Sequence, residues 1–183
     1  MTVFVVLLRA IGPITHKIMS MAQWRSAVAA AGFKEPETYL ATGNMIVEGG
    51  GSLPQVTETM NRIVRDLGLA ENSRAIVRTP DQIRSVFEAN PLPEAASTRP
   101  SQMGVYFFAA VNPELGWVQD YKGPEALRVI EQHLIVDYGG RVSESRLLGM
   151  VEKWSGTGTA RNWNTFRGLV KRSTKRQTGK DFN

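Results

Sequence analysis

The run Val3-Phe4-Val5-Val6-Leu7-Leu8 constrains the fold more than any other stretch of the chain. It is apolar throughout, rich in β-branched valine, and ends at Arg9. That is too short for a transmembrane helix, and no basic segment precedes it as in a secretory leader. A β-branched run of this length reads as a buried strand. Such a strand needs other elements to cover it, and the rest of the chain supplies them.

Ser20 and Gln23 have the spacing of a capping box, and Met21, Trp24, Val28 and Ala31 then repeat at helical intervals up to Gly32. Glu37 to Ala41 and Asn44 to Glu48 read as two strands joined tightly at Thr42-Gly43. Ser52 and Gln55 repeat the capping-box spacing. The helix they open carries Leu53, Val56, Met60, Ile63, Val64 and Leu67 on one broad face and closes at Gly68. Ser73 to Arg78 is a further strand. The order is βαββαβ, the ferredoxin-like arrangement.

A third helix start follows at Thr79-Pro80-Asp81-Gln82, with proline at the first helical position. Pro91 to Pro100 reads as a loop. Met103 to Ala110 is apolar on both faces and reads as a central strand. Residues 113–122 read as a short helix, Leu127 to Gln132 and Leu134 to Tyr138 as strands, and Leu147, Leu148, Val151 and Trp154 mark another helix. The last helix is expected to start near Ala160. The second half thus reads as a degraded copy of the first, its final strand replaced by a helix. The expected organisation is a first ferredoxin-like subdomain over 1–79, a linking helix and loop over 80–100, a second subdomain over 101–158, and a C-terminal helix with a basic tail over 159–183.

Composition removes several kinds of chemistry. The chain has no cysteine, which excludes disulfides, thiolate metal sites and cysteine nucleophiles. His16 and His133 are far apart and in no ligand spacing, so no metal and no cofactor is expected. Neither a G-x-S-x-G elbow nor a conspicuous carboxylate pair is present, and the residues leave open whether the protein is an enzyme. Of the net charge of +5, the last 23 residues carry seven Lys/Arg against one acid. This basic tail admits contact with nucleic acid, or a solvated, frayed terminus with cations at a helix end. No aromatic residue lies among its cations from Lys171 to Lys180, which favours the second reading. The Tyr106-Phe107-Phe108 run lacks the basic and glycine pattern of an RNA-binding sheet and reads as core. The chain is expected in the cytoplasm, without a membrane partner.

The most specialised segment is Thr157-Gly158-Thr159-Ala160-Arg161-Asn162-Trp163-Asn164-Thr165. Read as the entry to a helix, it combines unpaired N–H groups with a guanidinium suited to phosphate or carboxylate. At 100° per residue, Asn162 and Trp163 would face the protein interior, and Arg161 and Asn164 a groove or solvent. A small anionic ligand is therefore expected at the start of the last helix, held by Thr159, Arg161 and Asn164. Arg9, closing the first strand, and Asn44, at the hairpin turn, are further candidates. Alternatives are a nucleic-acid-associated protein using its tail, and an interaction module pairing through a sheet edge.

Leu7-Leu8-Arg9, Thr38-Tyr39-Leu40-Ala41-Thr42-Gly43-Asn44 and Thr159-Ala160-Arg161-Asn162-Trp163-Asn164-Thr165, in this order, resemble the bacterial domain-of-unknown-function family sixteen-ninety-seven. The resemblance implies two ferredoxin-like subdomains and carries no established activity. One stretch departs from it. The family typically continues Leu-Leu-Arg with Gly-Ile-Asn-Val-Gly-Gly, whereas this chain has Ala10-Ile11-Gly12-Pro13-Ile14.

Overall fold

The computed structural model describes residues 1–182. They divide into two compact units, Met1–Ile83 with the segment from Leu169 on, and Arg84–Gly168.

The first unit holds β1 (Thr2–Leu8), α1 (Pro13–Ile18), α2 (Met21–Ala30), β2 (Lys34–Thr38), β3 (Asn44–Gly49), α3 (Leu53–Asp66) and β4 (Ala75–Arg78). The strands form an antiparallel sheet in the order β2-β3-β1-β4, with β1 and β3 in the middle. Strand alternation sends Phe4, Val6 and Leu8 to one face, where Met45, Val47 and Val77 join them. Trp24 and Val28 of α2 and Val56, Met60, Ile63 and Val64 of α3 close over that face. Both helices start as their spacing predicts. Gln23 N–H donates to Ser20 Oγ at 3.1 Å, and Ser20 and Ser52 each donate their backbone N–H to the glutamine three residues on, at 2.8 Å.

The hairpin differs from its sequence reading. β2 starts at Lys34 and stops at Thr38, so residues 39–43 make the connection rather than Thr42-Gly43 alone. Leu40 and Gly43 both have positive φ, 58° and 79°. Glycine is required at 43. A Cβ there would lie 2.8 Å from both Leu8 Cβ and Ile11 Cγ1.

The second unit repeats the order. It holds β5 (Met103–Phe108), a 3-10 turn at Gly116–Asp120, β6 (Ala126–Ile130), β7 (His133–Asp137), α6 (Leu147–Ser155) and β8 (Gly158–Asn162). The sheet order, β6-β7-β5-β8, matches the first sheet strand for strand. The copy is degraded where its first helix should be, since only the 3-10 turn stands there. Trp117 and Trp154 fill in instead, their rings 4.7 Å apart, with Trp117 Nε1 donating to Ser155 Oγ at 2.9 Å. Tyr106, Phe107 and Phe108 are all buried.

Two sequence expectations are corrected. The final strand is present as β8, so the segment from Gly158 to Asn162 is extended, and the last helix, α7 (Trp163–Thr178), begins three residues after Ala160. The Pro91–Pro100 stretch contains a helix, α5 (Pro93–Thr98), which follows α4 (Pro80–Ala89). Pro93 at its first position and the helix-forming Glu94-Ala95-Ala96 account for it. The basic tail is helical as far as Thr178, where α7 ends, and Arg172 and Arg176 both pair with Glu37, at 2.7 and 2.5 Å. The Arg172 guanidinium also lies 4.7 Å above the Tyr39 ring.

The loop at 121–125 is tied to the start of α6 through Glu125, whose carboxylate accepts hydrogen bonds from Tyr121 Oη and Ser145 Oγ. Desolvation pushes its pKa up, but the two hydroxyls outweigh that and hold it below the ordinary glutamate value. A depressed carboxylate stabilises the fold above its unfolded pKa, and that contribution is lost as pH falls through the folded value. Glu125→Gln is therefore expected to lower the melting midpoint at neutral pH. The gap from wild type should be full above about pH 5 and shrink below about pH 4. Thermal scans of both proteins between pH 3 and 7 would check this, and a pH-independent gap would refute it.

Candidate functional site

In each unit the last strand carries, at or next to its end, an arginine whose side chain turns back on the strand. Arg161 stands opposite Val105 on β5 and is 8% exposed. Its Nη1 donates to Thr159 Oγ1 at 2.7 Å and to Ala160 O at 2.9 Å. Burial strips water from the guanidinium and lowers its pKa to about 10. It still carries its proton at neutral pH.

The arrangement reverses the sequence reading for Arg161 and Asn162 and keeps it for Trp163 and Asn164. Strand alternation, not helical rotation, decides the directions, so Thr159 and Arg161 share one face of the sheet and Ala160 lies on the other, against the core. Arg161 is buried rather than turned to solvent. Asn162 is exposed, and its Oδ1 caps α7 by accepting the Thr165 N–H at 2.9 Å. Trp163 is buried, as expected, in an aromatic cluster with Phe87, Phe107 and Phe166. Asn164 is exposed and accepts from Arg167 Nη2 at 2.9 Å. Thr159 and Arg161 are thus brought together, while Asn164 points away with the helix.

Arg78 is the counterpart that the sequence reading missed. It stands opposite Val5 on β1, is 5% exposed, and donates from Nη1 to Val77 O at 2.9 Å. Burial lowers its pKa to about 10 as well. The registers correspond residue for residue. Ala75 pairs with Leu8 and Arg78 with Val5, as Gly158 pairs with Phe108 and Arg161 with Val105. A capping residue and a helix follow each arginine, Thr79 before α4 and Asn162 before α7. The visible signal was the pair Arg78-Thr79-Pro80 and Arg161-Asn162-Trp163, each an arginine directly before a helix.

Arg9 and Asn44 lie at one end of the first sheet, where Leu7 pairs with Asn44 and Leu8 N–H donates to Gly43 O at 2.7 Å. Asn44 is fully buried and locks the hairpin. Its Nδ2 donates to Tyr39 O and Thr42 Oγ1, both at 2.9 Å, and its own carbonyl accepts from Tyr39 N–H. Arg9 Nη1 donates to Asn72 O at 2.9 Å.

Beside Arg9 lies a cavity of about 400 Å³. The β1–α1 loop and α1 form one wall (Ala10, Gly12, Pro13, Ile14, Ile18), and the loop before β4 forms the other (Leu69, Ala70, Asn72, Ser73). It is mostly apolar. Ile14 and Ile18, one helical turn apart, are 77% and 47% exposed, and α1 buries none of its residues. Ala10 has φ 59°. It holds the left-handed turn that the glycine of the family pattern would adopt without strain. The departure at Ala10–Pro13 therefore forms a wall of the cavity. Among the described residues, no three His, Asp or Glu are grouped to hold a metal ion. No helix among them is long and apolar enough to cross a membrane.

Two four-stranded antiparallel sheets with this repeated order define a double ferredoxin-like protein. The chain belongs to the family described as protein of unknown function (DUF1697), whose profile matches residues 1–134. β8 and α7 lie beyond the matched segment. Among solved structures, the chain is similar to the conserved bacterial protein SP0830 from Streptococcus pneumoniae, at 18% identity and a TM-score of 0.71. The alignment covers 96% of this chain and 99% of that one. This likeness concerns the fold. No curated protein matches the chain.

Proposed function

We propose that this protein binds a small molecule with an apolar body and an anionic end in the cavity beside Arg9. The observation that carries the reading is an apolar cavity of about 400 Å³ whose lining residue Asn72 accepts a hydrogen bond from the Arg9 guanidinium at 2.9 Å. That volume lies within the usual range for small-ligand sites, which are mostly apolar with a few polar groups that fix orientation. Arg9 directly precedes the lining residue Ala10 and is anchored to the lining residue Asn72, so its charge is held near the opening. A guanidinium forks onto a carboxylate or phosphate with two parallel hydrogen bonds. Asn44 supports the site indirectly, by locking the hairpin that packs against Leu8 and Ile11. Thr159 and Arg161 serve the fold of the second unit in this reading. The nucleic-acid alternative loses its best cations, because Arg172 and Arg176 are engaged by Glu37.

Thermal unfolding of wild type and Arg9→Ala against medium-chain alkyl carboxylates, aryl carboxylates and inorganic phosphate tests the reading. A ligand at about 100 times its dissociation constant stabilises by roughly 2.7 kcal/mol, a shift of several degrees for a chain of this size. An amphipathic carboxylate is expected to raise the wild-type midpoint and to raise that of Arg9→Ala much less, while phosphate alone does little. Equal shifts in both proteins, or no shift with any amphipathic anion, would sink the proposal.

A further inference from the structure

A sheet edge is an open template for another strand, because its outward N–H and C=O groups have no ladder partner. In this protein the edges are β2 and β4 of the first sheet and β6 and β8 of the second. What meets the outward carbonyls of β4, β6 and β8 is the same group in each case.

On β4, Ala75 exchanges two hydrogen bonds with the Asn61 side chain of α3, at 3.0 and 3.1 Å. Its backbone groups therefore point away from β1, and so do those of Val77, two residues on. Val77 O accepts from Arg78 Nη1. On β8, Gly158 N–H donates outward to Glu152 of α6 at 3.2 Å, so Ala160 also faces outward, and Ala160 O accepts from Arg161 Nη1. On β6, the two-residue turn Glu131-Gln132 makes Ile130 and His133 the closing hydrogen-bonded pair. Leu127 and Val129 are then the outward residues, and Leu127 O accepts from Arg128 Nη1 at 2.8 Å. On β2, Arg176 Nη1 donates both to Glu35 O at 2.5 Å and to Ile46 O of β3 at 3.1 Å, so it lies over the bulge between the two strands and not along the outer edge.

We propose that arginine side chains close three of the four sheet edges, β4, β6 and β8, against the addition of a further strand. An incoming strand would have to detach a guanidinium from the carbonyl it needs and then lie alongside the displaced charge. The three locks are unequal. Arg78 and Arg161 are buried, and their strands are clamped a second time by Asn61 and Glu152. On β6 the lock is Arg128 alone, and it is exposed, beside a Val129 that is 39% exposed. β6 is therefore the edge at which a second copy of the chain would add once its lock is removed.

The test compares wild type, Arg128→Ala and Arg62→Ala. Arg62 is an exposed residue of α3, so its removal changes net charge equally without touching an edge. Sedimentation velocity over a concentration series would be read together with amide hydrogen exchange at Val129. Arg128→Ala is expected to self-associate with a constant raised by roughly tenfold, the weight of one hydrogen bond from a charged donor. Protection at Val129 should rise with its concentration, and Arg62→Ala should behave as wild type. The proposal is overturned if Arg128→Ala sediments as wild type does, if it associates without added protection on β6, or if Arg62→Ala associates as strongly.

Discussion

Replacing Trp24 by alanine is expected to remove about 3–5 kcal/mol of stability, the usual cost of truncating a large aromatic side chain in a core. Trp24 is fully buried and the largest residue of the first core, packed among Val28, Met45, Met60 and the strand residues Phe4 and Val6. Both helices meet the sheet there, so the vacated space has few ways to collapse. A companion variant separates size from polarity. The indole Nε1 of Trp24 is buried and finds no acceptor among the described residues, a situation that costs about 1–3 kcal/mol. Trp24→Phe loses volume but removes that orphan donor, so its midpoint should fall far less than that of Trp24→Ala. Urea unfolding followed by far-ultraviolet circular dichroism measures both. Equal losses in the two variants would refute this expectation.

Phe166→Ala is expected to produce a loss of similar size, about 3–5 kcal/mol, in the second unit. Phe166 is fully buried in the first turn of α7, with ring centroids 5.2 Å from Trp163, 6.1 Å from Phe107 and 6.3 Å from Phe87. Tilted aromatic pairs of this kind add about 0.5–1.5 kcal/mol each beyond area burial. The cluster rests on the sheet face that carries Thr159 and Arg161, so truncation should also admit water to the Arg161 guanidinium. Hydrogen exchange at β8 amides is expected to accelerate more than at β6 amides. Uniform acceleration across the second sheet would mean that Phe166 supports the unit as a whole and not β8 in particular.

The pairing of Arg78 with Arg161 also clarifies the repeat. Val5-Val6-Leu7-Leu8-Arg9-Ala10 and Val105-Tyr106-Phe107-Phe108-Ala109-Ala110 occupy equivalent strands, and only the first ends in arginine. Arg9 therefore has no counterpart in the repeat, where Ala109 stands, and the arginine beside the proposed cavity belongs to the first copy.

Much of this architecture was legible in the residues. The capping boxes at Ser20 and Ser52, the broad apolar face of α3 and the unbroken apolar strands β1 and β5 each reflect interactions within a few positions of one another. Such signals survive without any knowledge of the rest of the chain. They foretold the ferredoxin-like order and the burial of Trp163 and the Tyr106–Phe108 run. The segment from Gly158 to Asn162 was misread for the same local reason. A five-residue strand directly abutting a helix offers too little alternation to compete with the helical pattern that follows, and the true cap is Asn162.

What tertiary structure alone decided lies further apart in sequence. Arg161 is buried because β8 pairs with β5, more than fifty residues earlier, and that pairing overrides the preference of a guanidinium for water. The cavity exists because the loop around Ala10 is brought against Leu69 and Asn72. The arginine locks depend on which carbonyls face outward, and that is set by strand register. Periodicity and capping are properties of a short stretch of chain, so the sequence by itself determined the elements and their order. Burial of a charge, the walls of a cavity and the exposure of an edge are properties of pairs of distant segments, and only the packed structure could decide them.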